Sequence, residues 1–195
     1  MRWDNLFDDL ESQLELELGA EDLDLVAEEE RLRLGRLALR DRLVALVGHP
    51  EPLHVVLRDG ESVALRLSAA GRDWIAGDLH GAGADRTAAV VPISAISGVL
   101  PTSEQLARSI RAESSVEPST SLSARLGLTF VLRDLCRRRS AVDLVTGAIR
   151  IHGTIDRVGR DQFDVAEHEP GVPRRDAAVT RMRIVAVSEL LLVRF

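Results

Sequence analysis

The stretch Leu53-His54-Val55-Val56-Leu57-Arg58-Asp59-Gly60-Glu61-Ser62-Val63-Ala64-Leu65-Arg66-Leu67 decides the fold class. Leu53, Val55 and Leu57 alternate before Asp59-Gly60, and Val63, Leu65 and Leu67 alternate after it, with Ala64 and Arg66 on the opposite face. A period of two on both sides of an Asp-Gly pair predicts a β-hairpin with one buried face. Downstream, Gly71 punctuates, Asp73 to Leu79 reads as a third strand, and the glycine-rich stretch from His80 to Arg86 reads as a loop. Thr87 to Val91 follows as a fourth strand, Pro92 interrupts the ladder, and Ala95 to Leu100 forms a short last strand.

Upstream the period is helical. From about Asp22, a plausible N-cap, to Val47 the pattern predicts a helix of about 26 residues, and Gly48 with His49-Pro50 stops it. Leu18, Leu25, Leu32, Leu39 and Leu46 stand seven apart, but the positions three and four beyond each are mostly Glu, Gly or Arg. The helix therefore reads either as half of a coiled-coil seam or as packing on its own domain through Leu37, Leu43, Val44 and Val47. Before it, Trp3, Leu6, Phe7, Leu10, Leu14 and Leu18 recur at helical spacing and form a single apolar stripe.

The pattern then returns. Residues 101–121 shift to Ser, Glu and Pro around one helical piece at 105–111, and read as a linker. Beyond it Arg125-Leu126-Gly127 echoes Arg33-Leu34-Gly35, and Leu132-Arg133-Asp134 echoes Leu39-Arg40-Asp41. Gly147 answers Gly60, Gly159-Arg160-Asp161 answers Gly71-Arg72-Asp73, and Ala186-Val187-Ser188 answers Ala95-Ile96-Ser97. The offsets, 92, 93, 87, 88 and 91, differ only by small loop changes. Ile151 and Ile155 fall where Val63 and Leu67 fall, which keeps the same face inward in both copies.

The run Gly147-Ala-Ile-Arg-Ile-His-Gly153-Thr-Ile155-Asp-Arg-Val-Gly-Arg-Asp161-Gln-Phe163 resembles the first Sm motif, and Val91-Pro-Ile-Ser-Ala-Ile-Ser-Gly-Val-Leu-Pro101 resembles the last strands of the bacterial Sm-like RNA chaperone. The resemblance covers residues 31–100 and 122–195 and implies an SH3-type small barrel in each, with RNA binding. Where Sm proteins carry a base-reading Asn, this chain has Ile75 and Ala76 after Asp73-Trp74, and Asp164 after Phe163. The opening, Met1 to Glu11, resembles a family of uncharacterised actinobacterial proteins, which brings no function with it.

Composition excludes several classes. The 195 residues are 45% hydrophobic and 29% charged, with one Cys, so the chain is neither a disulfide scaffold nor a low-complexity polymer. No run has the roughly 18 apolar residues that cross a bilayer, and no signal peptide opens the chain, so a cytoplasmic protein is expected. All 25 basic residues are Arg. The net charge of −6 is uneven: residues 1–30 sum to −11 and the rest to +5, an acidic arm on a basic body.

The five histidines stand apart from one another and from Cys136, so no metal-ligand spacing arises. His168, between Glu167 and Glu169, reads as a solvated loop residue, and Cys136 as a small apolar residue at a helix end. No nucleophile elbow or phosphate loop is present, so catalysis, a metal and a cofactor are not expected. Of the body's aromatics, Trp74, Phe130, Phe163 and Phe195, most are expected in the core.

The expected architecture is α+β and mainly β: an acidic helical arm over 1–30, one Sm-like, SH3-type barrel over 31–100, a linker over 101–121, and a second barrel over 122–195. The expected function is a non-catalytic binding or adaptor module. Its arm would dock on a protein partner or a second copy, giving a dimer, through Trp3, Phe7, Leu10 and Leu14. The alternative is an RNA- or DNA-binding regulator that contacts phosphates through Arg137, Arg138, Arg139, Arg174, Arg175, Arg181 and Arg183.

Overall fold

The structure, a computed structural model, describes residues 25–81, 87–111 and 122–195. The chain divides at Ala38/Leu39 into two units. In the first, residues 25–36 are helical (α1) and the last turn closes through Leu37 N–H to the Leu34 carbonyl, 3.2 Å. The continuous helix expected over 22–47 is therefore interrupted at 37–38, two residues after Gly35, a residue of weak helix propensity. The stripe residues Trp3 to Leu18 lie outside the described residues.

The second unit, Leu39–Phe195, is mainly β. Helix α2 (Leu39–Ala45) leads into β1 (Leu53–Leu57), β2 (Ser62–Ala70), β3 (Trp74–His80), β4 (Thr87–Pro92) and β5 (Ile96–Leu100). Helices α3 (Ser103–Ile110), α4 (Leu122–Arg125) and α5 (Leu128–Arg138) then precede β6 (Ala141–Thr146), β7 (Arg150–Val158), β8 (Gln162–Glu167), β9 (Arg181–Ala186) and β10 (Leu190–Arg194). The strands hydrogen-bond into one antiparallel sheet in the order β5-β1-β2-β3-β4-β10-β6-β7-β8-β9. The order 5-1-2-3-4 thus recurs as 10-6-7-8-9, and the two runs meet where β4 pairs with β10.

The repeat extends to individual hydrogen bonds. Gly71 N–H reaches the Trp74 carbonyl and Gly159 N–H the Gln162 carbonyl, both at 2.8 Å, while Ile93 and Val187 N–H reach the carbonyls of Asp73 and Asp161 at 2.9 and 2.8 Å. A register shift lies between Leu67 and Ala69 in the β2–β3 ladder and between Ile155 and Arg157 in the β7–β8 ladder. The strands match at an offset of 88 through β2 and β3 and 94 through β4 and β5. The helices match at 89, where buried Leu43 and Leu46 answer Leu132 and Leu135. The echo of Arg33-Leu34-Gly35 in Arg125-Leu126-Gly127 is thus three residues off: Leu37-Ala38 occupies the break that Leu126-Gly127 occupies. Burial of a leucine face sets helix register, and a three-residue sequence match does not.

Close backbone packing uses a different glycine in each half. A Cβ at Gly77 in β3 would run into the Arg66 carbonyl, and one at Gly153 in β7 into the Ala166 carbonyl. The segment after β5 begins with an ordered helix. Thr102 and Gln105 form a reciprocal capping box on α3, and buried Gln105 donates to the carbonyls of Glu51 and Pro52 at 3.2 and 3.4 Å.

Two apolar clusters fill the unit, and each borrows from the other half. Val145, Leu191 and Leu192 join the cluster around Leu43, Leu53 and Leu65. Trp74 and Val90 join the cluster around Leu132, Ile155 and Phe163. Of the four body aromatics, Trp74 and Phe163 are buried, while Phe130 and Phe195 are exposed, a correction to the expectation that most sit in the core.

Candidate functional site

The turn Gly71-Arg72-Asp73, between β2 and β3, grips the start of the second half. Arg72 N–H and Trp74 Nε1–H both donate to the Leu126 carbonyl at 3.0 Å, and the Asp73 carboxylate accepts the Leu128 N–H at 2.7 Å. Gly127 at the N-cap position has no side chain to satisfy that first helical N–H, so a carboxylate from a distant turn supplies the cap. Gly71 lies against the Trp74 indole so closely that a Cβ there would overlap the ring.

The equivalent turn, Gly159-Arg160-Asp161, faces the same cleft. Arg72, Asp73 and Ser94 from the first half and Arg160, Asp161 and Ser188 from the second line a space of about 450 Å³. Its charges balance, two guanidiniums against two carboxylates. Asp73 is engaged with α5, whereas the exposed Asp161 side chain has no hydrogen bond among the described residues.

Among the described residues the sheet ends on β5 and β9, each paired on one side only. Along β9 the pleat alternates: Val185 is buried in the core and Arg183 pairs with Glu167, while Met182 and Ile184 point the other way, 53% and 74% exposed. At the internal junction the residue equivalent to Ile184 is Val90, which lies opposite Val193; the two are 1% and 0% exposed. Unpaired N–H and C=O groups beside an exposed apolar face make β9 a receptive edge. Sequence reading passed over Met182 and Ile184. Their alternation with Arg181 and Arg183 was visible, but whether a strand lies at an edge is decided by topology.

The Arg cluster is laced with acids. Arg137 and Arg138 pair with Asp134 at 2.6 and 2.7 Å, and Arg139 pairs with Asp156 at 2.7 Å. Arg174 reaches Asp156 at 2.7 Å and Asp176 at 2.5 Å. Arg139 and Arg174 thus share one carboxylate, while Arg175 and Arg181 are exposed without a side-chain bond among the described residues. The hydrogen bond from Arg174 outweighs partial burial and holds the Asp156 carboxyl below the usual carboxylate range, with Arg139 adding to it. Asp134 is lowered mainly by the hydrogen bond from Arg137.

Compared with protein-family models, with curated proteins and with solved structures, the chain matches none of them. No described helix is long and apolar enough to cross a membrane.

His168 is 5% exposed, so its expected place in a solvated loop is corrected. Its Nδ1 faces the Glu169 carbonyl at 3.1 Å and its Nε2 faces Thr154 Oγ1 at 2.9 Å. A carbonyl only accepts, so Nδ1–H donates to it, while the hydroxyl can serve Nε2 as either donor or acceptor. Cys136 is partly buried in the last turn of α5, where its thiol donates to the Asp156 carbonyl at 3.3 Å. Among the described residues no group of three His, Cys, Asp or Glu side chains stands where it could hold a metal. The partner-binding residues Trp3, Phe7, Leu10 and Leu14 lie outside the described residues.

Proposed function

We propose that this chain is a non-catalytic adaptor built from two Sm-like, SH3-type barrels, and that it binds a protein partner by adding a strand to the β9 edge. The observation that carries the reading is Ile184, 74% exposed on the outward face of a strand paired on one side only. A docking strand gains main-chain hydrogen bonds from the edge and buries that face, which gives affinity and register together. The acidic arm, with Trp3, Phe7, Leu10 and Leu14, is a second docking element on this reading. Nucleic acid is the lesser alternative, because five of the seven candidate arginines already answer carboxylates. A phosphate contact by any of those five would have to displace such a pair.

The test uses a labelled peptide of the chain's own last strand, Leu190–Phe195, whose partner within the chain is the counterpart of β9. In fluorescence anisotropy at dilute protein and about 150 mM salt, where exposed charges are screened beyond roughly 8 Å, the peptide binds the wild type and fails to bind Ile184→Asp. Uridine-rich single-stranded RNA does not bind under the same conditions. RNA binding that vanishes in an Arg137→Ala, Arg138→Ala, Arg139→Ala variant, with no peptide binding, would overturn the order of the two readings.

A further inference from the structure

β9 presents two chemically different faces to an incoming strand. Met182 and Ile184 stand on one, 53% and 74% exposed. Arg181 and Arg183 stand on the other, opposite Glu167 and Val165 in the β8–β9 ladder. Arg183 is held by Glu167, whereas the exposed Arg181 side chain has no bond among the described residues. No proline interrupts Arg181–Ala186, so the backbone groups that an edge strand turns away from its sheet are open to pairing along its length. A complementary strand carries apolar side chains on one face and carboxylates on the other.

The sequence contains that pattern. Leu14-Glu15-Leu16-Glu17-Leu18 alternates Leu with Glu over five residues and holds neither Pro nor Arg. Leu14 and Leu18 belong to the apolar stripe at helical spacing, but Leu16 falls off it; a period of two gathers all three leucines on one face and both glutamates on the other. The similar run Asp22-Leu23-Asp24-Leu25 leads into α1, which takes Leu25. Residues 14–18 lie outside the described residues. Resting on the strand-docking reading above, we propose that the occupant of the β9 edge is residues 14–18 of a second copy of this chain.

Register and charge carry the argument. Antiparallel pairing, like that of β8 with β9, with Leu16 opposite Met182 puts Leu14 on Ile184, Glu15 on Arg183 and Glu17 on Arg181. All four pairs are complementary, and a slip of one residue would set the leucines against the arginine face. The long-range field agrees, since residues 1–30 sum to −11 and the rest of the chain to +5. The other free edge does not compete: β5, Ile-Ser-Gly-Val-Leu, carries no charge to meet the glutamates. Each chain supplies one such segment and one such edge, so mutual exchange satisfies both copies and closes at two chains.

Sedimentation velocity of the full chain across a concentration series tests this. The wild type passes from one chain to two as concentration rises. Ile184→Asp and Leu16→Asp each weaken association by about tenfold to a hundredfold, the range that burying one large aliphatic side chain corresponds to. Arg181→Glu sets like charges opposite each other and weakens it by about threefold to tenfold, and adding Glu17→Arg to the same chain restores it. Because Arg181 is exposed and unbonded among the described residues, the far-ultraviolet circular dichroism of the dilute Arg181→Glu variant stays that of the wild type. A wild type that stays a single chain but binds the peptide of residues 190–195 overturns the second-copy proposal and leaves strand docking intact. If it neither associates nor binds that peptide, both fail. Association that Leu16→Asp leaves unchanged, or that the paired charge reversal does not restore, likewise overturns the proposal.

Discussion

Asp73 and Asp161 occupy the same place in the repeat, yet their replacement by Ala should have different consequences. The Asp73 carboxylate accepts the Leu128 N–H at 2.7 Å at the positive end of α5 and has half of its side chain in solvent. Loss of an N-cap costs about 0.5–2 kcal/mol, and the charge at a helix N-terminus contributes about 0.3–1 kcal/mol of similar origin, so Asp73→Ala is expected to cost about 1–2 kcal/mol. For a protein of this size that lowers the melting midpoint by roughly 2–8 °C. Asp161→Ala removes no side-chain hydrogen bond seen among the described residues and stays within about 0.5 kcal/mol, as ordinary surface substitutions do. The assay is urea unfolding followed by far-ultraviolet circular dichroism at a dilution where chains are single. Asp73→Ala lowers the midpoint with an unchanged slope, and Asp73→Asn, which keeps an acceptor but not the charge, falls between it and wild type. Equal effects of the two alanines would falsify the claim that one turn is occupied and its counterpart vacant.

The remaining expectations concern the interlocked cores and the buried charges. Trp74→Ala empties an indole site in the second half's cluster and should cost about 3–5 kcal/mol, and scanning calorimetry should still show one transition for both halves of the sheet because each core borrows from the other. Gly77→Ala and Gly153→Ala place a Cβ against a neighbouring carbonyl and should each cost about 1–3 kcal/mol in chemical denaturation. Asp156, lowered by Arg174 and then Arg139, favours its ionised form in the folded state. The stabilisation is thus complete above the unfolded carboxylate value of about 3.9 and is lost as pH falls through the lower folded value. Urea midpoints measured from pH 6 down to about pH 2 should fall less steeply for Asp156→Asn than for wild type, and equal slopes would show that the pair contributes nothing.

The sequence by itself determined the local elements. Alternation around Asp59-Gly60 specifies the first hairpin because a period of two admits only one buried face, and the observed β1 and β2 bracket that turn. Gly48, read as a helix stop, closes the turn that follows α2, with φ at +77°, where a side chain would be strained. Cys136, read as a small residue at a helix end, does lie in the last turn of α5, with Arg137 and Arg138 beside it and Arg139 at the C-cap. The matching Gly-Arg-Asp turns were legible too, because short loops tolerate only small changes in length. What tertiary structure decided was who meets whom. That β4 joins β10, that Asp73 is occupied and Asp161 is not, and that His168 is buried rest on contacts between residues tens of positions apart. Periodicity carries no information about such pairs. Nor could it separate Val90 from Ile184: both are apolar residues facing the same way on equivalent strands, and only the presence of a neighbouring strand buries one and leaves the other in solvent. The candidate site was hidden for that reason, since an edge is a property of the whole sheet.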